Sequence, residues 1–411
     1  LFSKDDLTIA GTGSLTVNAN YGDAIVSKDG LIIAGGTFHI QAADDGIRGK
    51  DYLVIQAGDF TIDAEGDGLK STNDDATLGY VHIISGIYHI TAGQDAIQAE
   101  TDLLIEAGTF DLTAGGGSNV NPGDDSAKGL KAVVHLVVDD GVFDINTADD
   151  AIHSNSNICI NLGTFALSTG DDGIHADSTL SINGGDITIS KSYEGIESMV
   201  IVINDGDISV NSSDDGLNVA GGADGSGGGH FPGGGFSQSS EDFYMEINGG
   251  YIAITAAGDG LDANGSIVMT GGTVLVHGPT VNNEGPIDYD LSFQISGGLL
   301  VAVGSANMAQ APSTSSEQYS VKVRFNSTNT AGKLVHLQTA AGEELLTFQP
   351  AKNYQSLVVS SPELAQGASY ALYTGGSHSG TTNGGLYEGG TYTPGTKYAD
   401  FTISSKVTTI Q

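Results

Sequence analysis

A short anchor, an acidic residue followed by Gly or Ala and then Ile or Leu, recurs along this chain at Asp23, Asp45, Asp67, Asp95, Asp150, Asp172, Glu194, Asp215 and Asp259, with Lys128 taking the acidic slot once. The successive spacings are 22, 22, 28, 33, 22, 22, 22, 21 and 44 residues. A period this regular is the mark of a solenoid, in which each repeat is one supersecondary unit that buries its apolar face only against its neighbours. The longer spacings hold insertions at 72–79, 115–126 and 221–242.

Two short alternating segments follow each anchor. Leu53 and Ile55, Leu180 and Ile182, and Met245 and Ile247 form a first apolar pair, and Phe60 and Ile62, Phe165 and Leu167, and Ile252 and Ile254 form a second. Alternation at period two is a strand signal, with one face turned inward. Glycine pairs such as Gly184-Gly185 and Gly249-Gly250 mark the corners between the segments. The anchor's own Ile or Leu opens a third short strand. Three strands per repeat, in the same phase every time, predict an all-β fold: a right-handed single-stranded parallel β-helix over 1–316, with a C-terminal all-β domain over 317–411 capping its open end.

Composition narrows the partners. The chain carries 14 Lys+Arg against 50 Asp+Glu, a formal net charge of −36, which disfavours nucleic acid and anionic membranes and favours divalent cations. Only 16% of residues are charged and the apolar positions are patterned, so the acidity is not that of a disordered chain. No apolar run has the length of a membrane span. The single cysteine, Cys159, is expected as a buried small hydrophobe. Leu1–Asp5 repeats the pattern of Ile25–Asp29, so the chain is expected to begin in mid-coil, with a truncated or processed N-terminus.

Stacking repeats turns each sequence column into a row of side chains. Two anchor carboxylates one coil apart, about 4.8 Å, repel by roughly 3.5 kcal/mol at an effective dielectric near 20. Bound cations, interleaved Lys or Arg, or splaying into water would relieve this, and the sequence points to the first two in different regions. The richest stretch brings Asp171, Asp172, His175, Asp177, Glu194, Glu197, Asp214, Asp215 and Asn218 onto neighbouring turns. An oxygen-rich, cysteine-free set of this kind suits Ca2+. The insertions add Asn73, Asp74 and Asp75 on one coil and Asp124 and Asp125 on the next long one as a second candidate site. The bland alternative for both is a solvated acidic turn that caps its own backbone N–H groups. His153 and His175 are expected to be neutral surface histidines bonded to a neighbouring coil rather than transition-metal ligands.

Basic residues fall at or just after the anchor turn: Lys28, Arg48, Lys50, Lys70, Lys128 and Lys131, with Lys191 apart. They either pair with the acidic column or line a groove for an anionic polymer, with Arg48, Lys50, Lys70, Lys128 and Lys131 as the candidate glycan contacts. No Trp is present to stack on sugars, though Tyr52, Tyr80, Tyr193, Tyr244 and Tyr289 are available. The Gly-rich stretch around His230, Phe231 and Pro232 lacks the Lys-Ser/Thr ending of a phosphate loop.

With these motifs assembled, DDGIRGKDYLVI (44–55), GDGLKSTN (66–73), SAKGLKA (126–132), DDGIHAD (171–177), SYEGIES (192–198), DDGLN (214–218), GDGLDANG (258–265) and PIDYD (286–290) make the chain resemble the bacterial carbohydrate-binding domain-containing family of calcium-bearing parallel β-helix proteins typified by a clostridial cellulose- and polygalacturonate-binding protein. GASYALYTGG and GGTYTPGT near the C-terminus add to the likeness, while Ala24, Ala96 and Ala151 depart from it by replacing the anchor's glycine. The resemblance implies a pectate-lyase-like fold and an extracellular or cell-surface, non-catalytic protein that binds plant cell-wall or acidic polysaccharide with Ca2+, as a monomer. Two other readings stand beside it. A calcium-dependent uronate lyase would use Arg48 or Lys70 beside Asp45 and Asp67 as its base. A surface adhesin or spacer would use the coils only to project another module.

Overall fold

In the computed structural model, which describes residues 1–123, 125–220 and 242–411, every regular element is a β-strand and no helix occurs among the described residues. The Gly-rich stretch with His230, Phe231 and Pro232 lies outside them. The chain folds into two compact units, one built on Leu1–Val202 and the other on Ile203–Val219 with the described residues of Ser237–Gln411.

In the first unit, from Ile25 to Thr169, each repeat makes three strands, of three, four and six residues, and beyond Thr169 the first two merge into one, as in Ile174–Ile182. One repeat gives Ile47–Gly49, Tyr52–Ile55 and Asp59–Ala64. Each strand pairs in parallel with its equivalent one repeat on, and the register keeps like against like. Leu53 meets Leu31 and Val81, and Phe60 meets Phe38 and Tyr88. The insertion at 72–79 does not disturb this, for Leu69 still pairs with Ile97 across 28 residues. The six-residue strands from Asp59–Ala64 to Val142–Thr147 alternate exposed or half-buried with buried positions, so one side chain in two faces inward, as period two requires.

The inward columns are continuous. Phe38, Phe60, Tyr88, Phe110, Phe143 and Phe165 stack with centroids 4.6 to 5.0 Å apart and planes within 5° of parallel. Offset aromatic pairs of this kind add about 0.5–1.5 kcal/mol each beyond the area they bury. The corner before each ring needs a glycine: at Gly108 φ is 150°, and a Cβ there would sit 2.8 Å from the Phe110 ring. Cys159 departs from expectation. It occupies an outward position of Asn157–Ile160, half-buried between Asn161 and Asn183, because alternation in that strand gives the interior to Ile158 and Ile160.

In the second unit the same three-strand repeat resumes, with Asp207 facing Tyr251 and Leu217 facing Leu261 across the 44-residue spacing. Parallel pairing runs on to Leu299–Gly304. That strand then pairs antiparallel with Tyr354–Ser360, which pairs antiparallel with Ser320–Asn329. A separate six-stranded antiparallel sheet contains Val335–Thr339, Glu344–Phe348, Ser369–His378 and Tyr392–Thr402. Val323, Leu337, Phe348, Leu357 and Leu372 belong to the core these strands share.

Candidate functional site

The anchor column is built from backbone first. In five anchors of the first unit one carboxylate oxygen accepts the backbone N–H of the next anchor: Asp45 Oδ1 from Asp67 at 3.1 Å, Asp67 Oδ1 from Asp95 at 2.8 Å, Asp95 Oδ1 from Lys128 at 2.8 Å, Asp150 Oδ1 from Asp172 at 3.0 Å and Asp172 Oδ1 from Glu194 at 3.1 Å. An acid at this slot is thus a structural staple, since its ionised form is an acceptor on both oxygens.

The second oxygen turns to the residue three positions on, and here the first unit places bases. Arg48, Lys70, Gln98, Lys131, His153 and His175 stand one above another in register. Arg48 pairs with Asp23 and Asp45, Lys70 with Asp67 and Asp45, and Lys131 with Asp95 at 3.2 Å. His153 Nδ1 lies 2.8 Å from Asp150 Oδ2. Most of these acids are therefore met by a basic side chain, with Gln98 interrupting the column. Burial drives the Lys70 ammonium toward neutrality, but Asp67 and Asp45 outweigh it and hold the proton above the ordinary lysine range. That is the reverse of what a proton-abstracting base needs.

Lys128 is the exception in the ladder. It fills the anchor slot itself, is 2% exposed, and sends Nζ to Asp149 Oδ1 at 2.7 Å and Asp150 Oδ2 at 2.8 Å. Burial would raise the Asp150 carboxyl, but the Lys128 charge and the His153 hydrogen bond hold it well below the usual carboxylate range. Expected as a glycan contact, Lys128 is a core ion pair with no surface to offer. Lys50 is exposed, and Arg48, Lys70 and Lys131 keep part of their side chains accessible.

The histidines also differ from expectation. His153 and His175 are buried, stacked with centroids 5.1 Å apart, and bonded to anchors of their own coils rather than lying on the surface. His175 gathers three of the acids singled out as metal ligands, Asp172, Asp177 and Glu197. Asp171 joins Asp149 and Asp150 instead, with one carboxylate oxygen from each within 4.8 Å of the others. The second candidate site does not converge. Asp74 and Asp75 are exposed, and Asp75 accepts from Thr77 N at 3.0 Å and Thr77 Oγ1 at 2.8 Å, bonds that lower its pKa and cap a local turn. Asp125 is exposed as well, and Asp124 lies outside the described residues.

The second unit fills this column differently. Opposite the anchors Asp215 and Asp259 the column reads Asn218 then Asp262, in register, with the backbone N–H of Asp288 bonded to Leu261 O one coil on. Asp259, Asp262 and Asp288 each bring an oxygen within 4.8 Å of the others. Burial and neighbouring carboxylates push Asp215 up to about 8, and Asp259 and Asp262 to about 7. The charges that bear on them are acids throughout: Asp214, Asp259, Asp262, Asp288, Asp290 and Glu284. Of these, Asp214 and Asp215 were among the expected metal ligands. Asp259, Asp262 and Asp288 were not, although GDGLDANG and PIDYD displayed them; the missing signal was that Asp262 stands three residues past its anchor, where Arg48, Lys70, Lys131, His153 and His175 stand in other coils.

Comparison with known proteins agrees with the first coils. A family model described as carbohydrate-binding domain-containing protein matches residues 1–173. A carbohydrate-binding domain-containing protein of Acetivibrio thermocellus is 45% identical over 42 residues, which is 10% of this chain and 15% of that protein's length. No solved structure matches the chain. No helix among the described residues is long and apolar enough to cross a membrane.

Proposed function

We propose that this protein is an extracellular, non-catalytic carbohydrate-binding protein on a right-handed parallel β-helix, stabilised by calcium and directed to acidic or cellulosic cell-wall polysaccharide. The observation that carries the reading is the coincidence of two spans. The family match over residues 1–173 covers the coils in which Arg48, Lys50, Lys70 and Lys131 rise in or beside one ladder. Right-handed winding follows the strong preference of parallel crossovers. Glycan carboxylates or hydroxyls would meet the accessible ends of these side chains, with Arg48 offering a planar fork and Lys50 an exposed ammonium.

Calcium fits the second unit better than the first. Ligands at 2.3–2.6 Å on opposite sides of the ion stand at most about 5 Å apart, and the oxygens of Asp259, Asp262 and Asp288 lie within 4.8 Å of one another. Their raised pKa values mark carboxylates that lack a counter-charge, which a bound divalent ion supplies. Affinity electrophoresis through polygalacturonate and hydroxyethyl cellulose tests the binding. Retardation in either gel, lost on exchanging Arg48 and Lys50 for Met, supports it; unchanged mobility in both sinks it. The lyase alternative is weakened by Lys70 holding its proton, and an absorbance assay for unsaturated uronates with calcium supplied decides it.

A further inference from the structure

Two histidines at equivalent ladder positions in the first unit behave differently. His153 is satisfied by one short bond, 2.8 Å to Asp150, beside the Lys128 ammonium. His175 Nδ1 faces two carboxylate oxygens at nearly equal distance, Asp172 Oδ2 at 3.2 Å and Glu197 Oε2 at 3.3 Å. Charge-assisted hydrogen bonds run at about 2.7–2.9 Å, and one N–H cannot serve two acceptors well. Two ligands each bonded at about 2.1 Å to one tetrahedral ion stand roughly 3.4 Å apart, close to the spacing found here. On the far side of the ring, Nε2 lies 3.2 Å from Asp177 Oδ1. A metal-binding histidine commonly gives its other ring N–H to a carboxylate in this way, which makes Nδ1 the ligating nitrogen once its own proton has been displaced. The imidazole is 3% exposed, so the arrangement is held by packing.

We propose that Asp172, His175 and Glu197 bind a first-row divalent transition ion of the zinc class, oriented by Asp177, and that this site is distinct from the all-oxygen calcium cluster of the second unit. The donor set decides the class: imidazole with two carboxylates suits zinc or cobalt, whereas calcium takes oxygen alone. Binding forms a bond from the Nδ1 lone pair to the ion and releases the Nδ1 proton to solvent, leaving two carboxylates against two positive charges. Asp177 is a positioning residue here, not a ligand.

The test is a Co2+ titration of the full chain after EDTA treatment and dialysis. One equivalent of visible d–d absorption is expected, displaced by Zn2+, insensitive to millimolar Ca2+, and accompanied by proton release. His175→Gln should abolish the absorption, and Asp177→Asn should weaken binding by about 10- to 100-fold with the far-UV spectrum unchanged. Absence of the absorption from the parent chain, its persistence in His175→Gln, or its equal displacement by Ca2+ would overturn the proposal. Calcium binding at the second unit is read separately with Asp262→Asn, so the two assignments fail independently.

Discussion

The two units carry the same three-residue step from an acidic anchor to its facing side chain, and they fill it differently: the first unit mostly with bases, interrupted by Gln98 and Glu197, and the second with Asn218 and Asp262. In the first unit Asp45, Asp67, Asp150 and Asp172 look onto Arg48, Lys70, His153 and His175. In the second, Asp259 looks onto Asp262 and Asp288. A stapling carboxylate is needed in both, because it accepts the next coil's N–H. The difference lies in where the compensating positive charge comes from. The first unit encodes most of it, whereas among the described residues of the second no base stands three positions past Asp215 or Asp259.

Several substitutions and conditions put pressure on that contrast. The largest effect is expected at Lys128, where replacement by Met leaves Asp149 and Asp150 buried without their cation. Chemical denaturation should show a loss of about 3–5 kcal/mol, as for other broken buried pairs. A loss below about 1 kcal/mol, the range of an exposed pair, would mean that the first unit does not depend on its internal cation. Next comes calcium, which should stabilise the parent chain by about 2.7 kcal/mol at a hundredfold excess over its dissociation constant. Asp262→Asn should remove most of that gain, while Lys70→Met should leave it intact; the reverse pattern would place the ion in the wrong unit.

The pH dependence should separate the units too. Asp215, Asp259 and Asp262 have folded pKa values of about 8, 7 and 7, above the value of about 3.9 expected for unfolded Asp. The metal-free folded state therefore binds more protons than the unfolded state between about pH 4 and pH 8, and stability falls as pH rises through that window. Saturating calcium should flatten the slope, which a thermal scan at several pH values records. Asp150 works the other way. Its pKa is depressed, so its contribution is complete above the unfolded value and is lost on further acidification. The smallest effect is at the accessible cations: Arg48→Met or Lys50→Ala should each weaken polygalacturonate retention by about 1 kcal/mol or less, read as gel mobility.

Much of this architecture was legible in the sequence because its period is nearly invariant. The spacing of 22 residues by itself put Phe on Phe and Ile on Ile, and the parallel registers agree. The acidic column was legible for the same reason. What the sequence hid was direction. Nothing in Lys128 or His175 announces that the side chain turns inward toward an acid on its own or the next coil: Lys128 lies two residues before the strand Leu130–Ala132, and His175 is buried along with both of its neighbours in Ile174–Ile182, so alternation does not set its direction. The insertions misled for a related reason: Asp74 and Asp75 look like ligands by type, but they lie in a turn that uses Asp75 to cap itself. The antiparallel pairings after Gly304 carry no period and were visible only as strands separated by turns.

Pairing resumes in frame after the insertion at 72–79, with Leu69 opposite Ile97. A coil can thus be lengthened at its corner without shifting any column, so natural variation in this scaffold is free to remodel what the surface recognises while the interior stays as it is. Affinity and durability can evolve on separate residues, and a grafted loop placed at that corner inherits the same freedom.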